Sequence, residues 1–190
     1  MQRSFAFTAI AALLIAAPSI SFAQTAPPHS SASPSASANH SAASAETKTF
    51  LTAAMQGDMS EIKMGQLAEK SGNSAETKEF GRTLVTDHTK AADEVKATAQ
   101  KVGVTVKAEP SSEAQKDYDR LSKLKGAEFD KEFARHMVDD HQKDVAKFQK
   151  QADAKNGPVS DLAQQQLPVL KKHLQLAESL QAKQQASAPK

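Results

Sequence analysis

Cysteine is absent from the 190 residues, tryptophan is absent too, and tyrosine occurs once. Without cysteine there is no disulfide framework, no thiol nucleophile and no thiolate metal ligand. The lipid-bearing cysteine that a bacterial lipoprotein needs after its cleavage site is also missing. Long apolar runs are scarce: the longest, from Phe5 to Ala17, is shorter than the roughly 20 residues a membrane-spanning helix requires. Successive alternating strands of the outer-membrane barrel type do not occur. Charge of one sign is lacking as well, with 24 Lys+Arg against 22 Asp+Glu and a net +2, or +1 once Arg3 is removed. That balance excludes a nucleic-acid binder held by charge, and the Lys171-Lys172 pair reads as a solvated helix face.

What is present begins with a secretory pattern. Arg3 supplies the cationic start, Phe5 to Ala17 the apolar stretch, and Ser21 and Ala23 flank Phe22. This predicts a signal peptide over residues 1–23, cleaved after Ala23, and an exported, periplasmic or secreted protein with no transmembrane segment in its mature chain. Residues 24–44 are almost entirely Ser, Ala, Pro and Thr with no Asp, Glu, Lys or Arg, the composition of a disordered tether spanning on the order of 25 Å. Its two histidines, His29 and His40, are isolated.

Residues 45–186 form the expected domain, rich in Ala, Leu, Lys, Gln and Glu, a helix-favouring mixture. Phe50, Ala54, Gly57, Glu61, Met64 and Ala68 recur at steps of four and three, the inward stripe of a first helix ending near Gly72. A second helix, from about Ala75 to Val102, turns Gly81, Leu84, His88, Ala91, Val95 and Thr98 inward. Gly103 and Pro110 punctuate an extended link, followed by a short helical piece around Glu113 to Leu124. After Gly126 a third long helix carries Phe129, Phe133, Met137, His141, Val145, Phe148 and Ala152. Asn156-Gly157-Pro158 stops it. The fourth presents Leu162, Gln166, Val169 or Leu170, His173, Ala177 and Leu180, with Pro168 expected to kink it or to split off a short first piece. Together these predict an all-α, antiparallel four-helix bundle of up-and-down type, with a short extra helix between the second and third long helices.

One frame, KEFxRxxVxDHxK, occurs twice, from Lys78 to Lys90 and from Lys131 to Lys143. Matching Phe, Arg, Val, Asp and His in register point to duplication of a helical unit. With Glu61-Ile62, Gly65-Gln66-Leu67-Ala68, Val85-Thr86-Asp87-His88, Phe129-Asp130, the His141 segment, Leu167-Pro168 and His173-Leu174, the chain from Thr49 to Leu180 resembles the bacterial domain-of-unknown-function 4142 family. The resemblance implies a ferritin-like fold and an envelope location, since such exported proteins are often labelled outer-membrane proteins. It supplies no activity, and the composition gives the outer-membrane label no support.

The chemistry concentrates in Glu61, His88, His141 and His173, each on the inward stripe and near the midpoint of a different long helix. In a bundle whose midpoints share a layer, one carboxylate and three neutral imidazoles suit zinc, iron, copper or manganese. Asp87 and Asp140 precede two of these histidines by one position, about 100° around the helix, which makes them interhelical partners that orient ligands from behind. The other reading is a buried polar layer that fixes the register of a noncatalytic structural or interaction module, with an envelope protein as its partner class. The Glu-x-x-His pairs of diiron enzymes are absent: Glu94 lies six residues beyond His88 and Glu178 five beyond His173. No Ser-His-Asp order, phosphate loop or nucleophile elbow occurs, so the balance leans away from an enzyme. His136 is expected at the edge of the stripe, Arg82 and Arg135 in ion pairs beside the core, and Met55, Met64 and Met137 in ordinary packing.

Overall fold

The computed structural model describes residues 43–186. The expected signal peptide, the expected tether up to residue 42 and the histidines His29 and His40 lie outside the described residues. Five helices and no strand occur among those described: α1 Ala45–Ser71, α2 Ala75–Lys101, α3 Ser112–Leu121, α4 Gly126–Asp153 and α5 Pro158–Ala186. None is long and apolar enough to cross a membrane.

Serine starts three of them for one reason. The first N–H groups of a helix lack intrahelical acceptors, and a serine hydroxyl one residue ahead supplies one. Ser44, Ser74 and Ser111 accept from the N–H of Thr47, Thr77 and Ala114 at 3.1, 3.2 and 3.1 Å. A glutamate in each first turn, Glu46, Glu76 or Glu113, faces the positive end of the helix dipole. α5 instead begins on Pro158, whose missing N–H is no loss at that position, just after Gly157 has turned the chain at φ +86°.

The helices form a bundle in which α1 packs on α2, α2 on α5, α5 on α4 and α4 on α1. Each neighbouring pair runs antiparallel. Asp58 meets His88 while Gly65 meets Gly81; Gln166 meets Ala91 and Lys183 meets Glu76. The path differs from the expected up-and-down order, because α2 and α4 run in the same direction. Asp130, in the first turns of α4, accepts from the N–H of Asn73 and Ser74 at the start of α2, both at 2.8 Å. The link between α2 and α4 therefore returns the chain to the end where α2 began, with α3 lying against α1 and α4 on the way.

Pro168 does not divide the last helix. α5 is continuous across it, in place of the expected short and long pieces. Pro168 and Gln164, whose carbonyl loses its donor, lie on the exposed side, where water can replace that donor. Leu162, Gln166, Leu170 and His173 keep the buried stripe in step through the interruption. Val169, the alternative considered for that stripe, faces outward.

Two apolar clusters fill the bundle. One gathers Phe50, Leu51, Met55, Val95, Phe148 and Leu162 among others; the second gathers Met64, Leu84, Phe129, Phe133 and Met137 among others. Edge-to-face rings anchor both, Phe50 on Phe148 at 5.0 Å and Phe80 on Phe133 at 6.0 Å. The latter pair are the matching phenylalanines of the repeated frame. Neither cluster includes the buried polar residues Asp58, Glu61, His88, His141 and His173.

Candidate metal centre

The four residues singled out by the sequence are all buried, with exposures of 1% for Glu61, 4% for His88, 1% for His141 and 0% for His173. The three imidazoles converge: ring centroids are 5.3 Å apart for His88 and His173, 5.4 Å for His141 and His173, and 6.0 Å for His88 and His141. One nitrogen from each ring lies within 4.8 Å of those from the other two. Glu61 is not among the groups gathered at that distance; its neighbour is Asp140.

Each ring uses one nitrogen to reach a partner that fixes its tautomer. His88 Nδ1 donates to Asp58 Oδ1 at 2.9 Å, His141 Nδ1 to the Met137 carbonyl at 3.0 Å, and His173 Nε2 to Asp87 Oδ2 at 2.9 Å. In a neutral imidazole the remaining nitrogen then carries a lone pair. Those nitrogens, His88 Nε2, His141 Nε2 and His173 Nδ1, are buried and make no hydrogen bond, as do Asp58 Oδ2 and Glu61 Oε2. Buried acceptors without donors are rare in folded proteins, and here three come together. Their spacing is one at which a single cation could be held by all three.

Burial sets the protonation of the layer. It lowers His141 to about 3, helped by the neighbouring His88 and His173, and lowers His173 to about 4 against the opposing pull of Asp87. Both rings are neutral at ordinary pH, the form a metal ligand needs. Burial also pushes the Glu61 carboxyl well above the usual carboxylate range, with the charge of Asp140 and a hydrogen bond to it adding to the shift. It raises Asp58 too, where the bond to His88 opposes it.

The repeated frame explains the arrangement. His88 and His141 occupy matching positions, as do Asp87 and Asp140. Asp87 bonds His173 of α5, whereas Asp140 acts on Glu61 of α1. Glu61 thus stands in one half of the layer where His173 stands in the other. Of the two aspartates, Asp87 lies behind a histidine and Asp140 beside the carboxyl.

Asp58 is the participant that sequence reasoning missed. Its signal was there, since it sits four residues beyond Ala54 and three before Glu61 on the same face of α1. His136 is half-buried at the side of the layer, and burial lowers its pKa. Arg82 pairs with Glu79, and Arg135 with Glu132 and Asp139, on the exposed surface. Such pairs contribute about 0 to 1 kcal/mol. Met55, Met64 and Met137 are packed in the apolar clusters.

Two openings lead inward. A cleft of about 770 Å³ between α1, α3 and α4 reaches Glu61, and a pocket of about 100 Å³ centred on α2 and α5 reaches His88 and His173.

The profile of a family described as a domain of unknown function, DUF4142, matches residues 32–180. Among solved structures, the crystal structure of a DUF305 fragment from Deinococcus radiodurans is similar with a TM-score of 0.65 at 15% sequence identity. The likeness covers 74% of this chain and 98% of that chain and concerns the fold alone. No curated protein matches the chain.

Proposed function

The chain belongs to the DUF4142 family, whose function is unassigned, and from that premise we propose that it is an exported cell-envelope protein that binds one transition-metal ion in its core. On this reading the helices are an antiparallel four-helix bundle of ferritin-like kind with one long crossover, and α3 is the extra helix on that crossover. His88, His141 and His173 are the imidazole ligands and Glu61 the carboxylate donor. Asp58 and Asp87 hold two of the rings from behind, and Asp140 holds Glu61. Imidazole and carboxylate donors suit zinc, iron, copper or manganese.

One observation carries the reading: three imidazoles from three helices turn unpartnered nitrogens into a buried layer. A polar layer serving only to set helix register would use both nitrogens of each ring. The partner bonds to Asp58, the Met137 carbonyl and Asp87 have the form of those that orient histidines behind a metal. The missing Glu-x-x-His pairs set the centre apart from diiron oxygen chemistry, so ion binding or handling is the role proposed.

Metal analysis of the purified protein after reconstitution should find one ion per chain, and none in the His88→Ala, His141→Ala double variant. An ion at a hundredfold its Kd should add about 2.7 kcal/mol to stability, read as a raised Tm. Substoichiometric metal after reconstitution, or equal metal in wild type and double variant, would leave the layer as a register device in a noncatalytic interaction module. Export is supported by Arg3, the Phe5 to Ala17 run and Ala23. Expression in a bacterial host should yield periplasmic protein beginning at Gln24, and a cytoplasmic product beginning at Met1 would refute it.

A further inference from the structure

The two openings are related by the repeated frame. Asp140 and Lys143 border the wide cleft, and Asp87 and Lys90, at the matching positions, border the narrow pocket; Asp144 borders both. They are not equivalent in access. The narrow pocket is bridged by Gln166, whose Nε2 donates to the Ala91 carbonyl at 3.2 Å and to Glu94 Oε2 at 3.1 Å, and by Gln165, which donates to Glu94 Oε1 at 2.9 Å. Its own aspartate, Asp87, is held by His173.

The wide cleft carries no such glutamine bridge: where α1 meets α4 at its inner end, the groups facing each other are Glu61 and Asp140. Its lining has seven carboxyl groups against four Lys and Arg, and three of those four cations are already paired: Arg120 with Asp117 and Glu132, Arg135 with Glu132 and Asp139, Lys147 with Asp144. Glu61, 99% buried with Oε2 lacking any partner, lies among the lining residues. A buried acceptor without a donor at the end of an acid-rich cleft is a place for a cation that has begun to shed its water.

We propose that the α1–α3–α4 cleft is the port through which a hydrated divalent cation reaches the core, with Asp140 and Glu61 taking it from water and Glu61 passing it to the imidazoles. The inference rests on the metal-binding reading. A divalent ion holds its water tightly, and carboxylate oxygens can replace that water stepwise before nitrogen ligands are reached. The surplus of acids raises the local cation concentration and the rate of capture, an effect that salt screens. Glu61 then has two roles that its position unites, the last oxygen of the approach and the carboxylate corner of the site.

Stopped-flow uptake of Co²⁺ by the full chain, followed by the ligand-field absorption of the ion, tests the port. Lys143 and Lys90 are exposed repeat-mates, so charge reversal at each changes one opening with little disturbance of the fold. Lys143→Glu should speed association about three- to tenfold at low salt, whereas Lys90→Glu should leave it within twofold. Gly57→Leu, which narrows the wide cleft, should slow association and dissociation by the same factor and leave Kd unchanged; Ala91→Leu at the narrow pocket should do neither. Faster uptake in Lys90→Glu alone, or unchanged rates in both Lys143→Glu and Gly57→Leu, would overturn the port while leaving the metal site standing. Failure of the wild-type chain to bind Co²⁺ would remove the functional reading and the port with it. Should Gly57→Leu fold poorly by its circular dichroism melt, the lysine pair decides the matter alone.

Discussion

Gly65→Ala and Gly81→Ala are each expected to destabilise the protein by about 2–3 kcal/mol, a Tm lowered by roughly 6–9 °C for a domain of this size. A Cβ on Gly65 would stand 2.6 Å from the Gly81 carbonyl oxygen, and one on Gly81 would stand 2.6 Å from the Gly65 carbonyl oxygen. Both obstacles are backbone on the facing helix, so no side chain can swing aside; α1 and α2 must separate. Helix propensity favours alanine by about 1 kcal/mol, and the steric term outweighs it. Gly57→Ala is the internal control, because its Cβ would meet only Asp144 Oδ2 at 3.7 Å. There the propensity gain stands alone, and stability should rise by up to about 1 kcal/mol. The same chemical change thus has opposite signs eight residues apart on one helix. Function should follow, since Asp58 and His88 bridge α1 and α2 about two turns from the close approach. Widening that interface draws the His88 ring away from its partners, so metal affinity should fall in Gly65→Ala and hold in Gly57→Ala. Equal melting temperatures for the two variants would contradict the close packing.

The steps of three and four read from Phe50 to Ala68, and their counterparts in the other long helices, encode which face of a helix is buried. They do not encode which helix that face meets. This is why the four polar residues at helix midpoints could be named in advance, and why the direction of α4 could not. The 24 residues between α2 and α4 permit a return to either end, and the choice rests on contacts such as Asp130 with the start of α2, which no local pattern announces. Whether Pro168 would split the helix was not legible for a related reason: that depends on the side of the packed helix on which its stranded carbonyl lies. Asp58 was missed because the steps of four and three run through its neighbour Gly57, whereas the buried face takes in Asp58. In the bundle Asp58 and Glu61 divide the work, the first holding His88 and the second facing the cleft. The repeat was legible as duplication, yet its consequence, Glu61 standing opposite His173, needed the helices in place.

Glu61→Gln should make the metal-free protein more stable by about 1–3 kcal/mol at pH 8 and tilt its whole pH profile. A carboxyl whose folded pKa is raised contributes stability that is present below its unfolded value of 4.5 and is lost as pH rises through the folded value. Asp58, with an ordinary value of 3.8, acts in the same sense. The histidines act oppositely. His141 at about 3 and His173 at about 4 in the fold, against 6.5 in the unfolded chain, give stability that is full above pH 6.5 and drains away as pH falls toward those values. Each unit of separation corresponds to about 1.4 kcal/mol. Between pH 4.5 and 6.5 the two groups oppose one another, so wild type should show a shallow profile there, imidazole losses on the acid side offset by carboxyl losses on the alkaline side. Glutamine keeps the shape of Glu61 and cannot ionise. In its place the Glu61 loss disappears and only that of Asp58 remains, so denaturant unfolding from pH 4 to 8 should climb more steeply than in wild type. With metal reconstituted the ranking should invert, since an ion favours the ionised carboxylate and glutamine offers only a neutral oxygen. A variant less stable than wild type at pH 8 without metal would contradict the burial cost assigned to the Glu61 carboxyl.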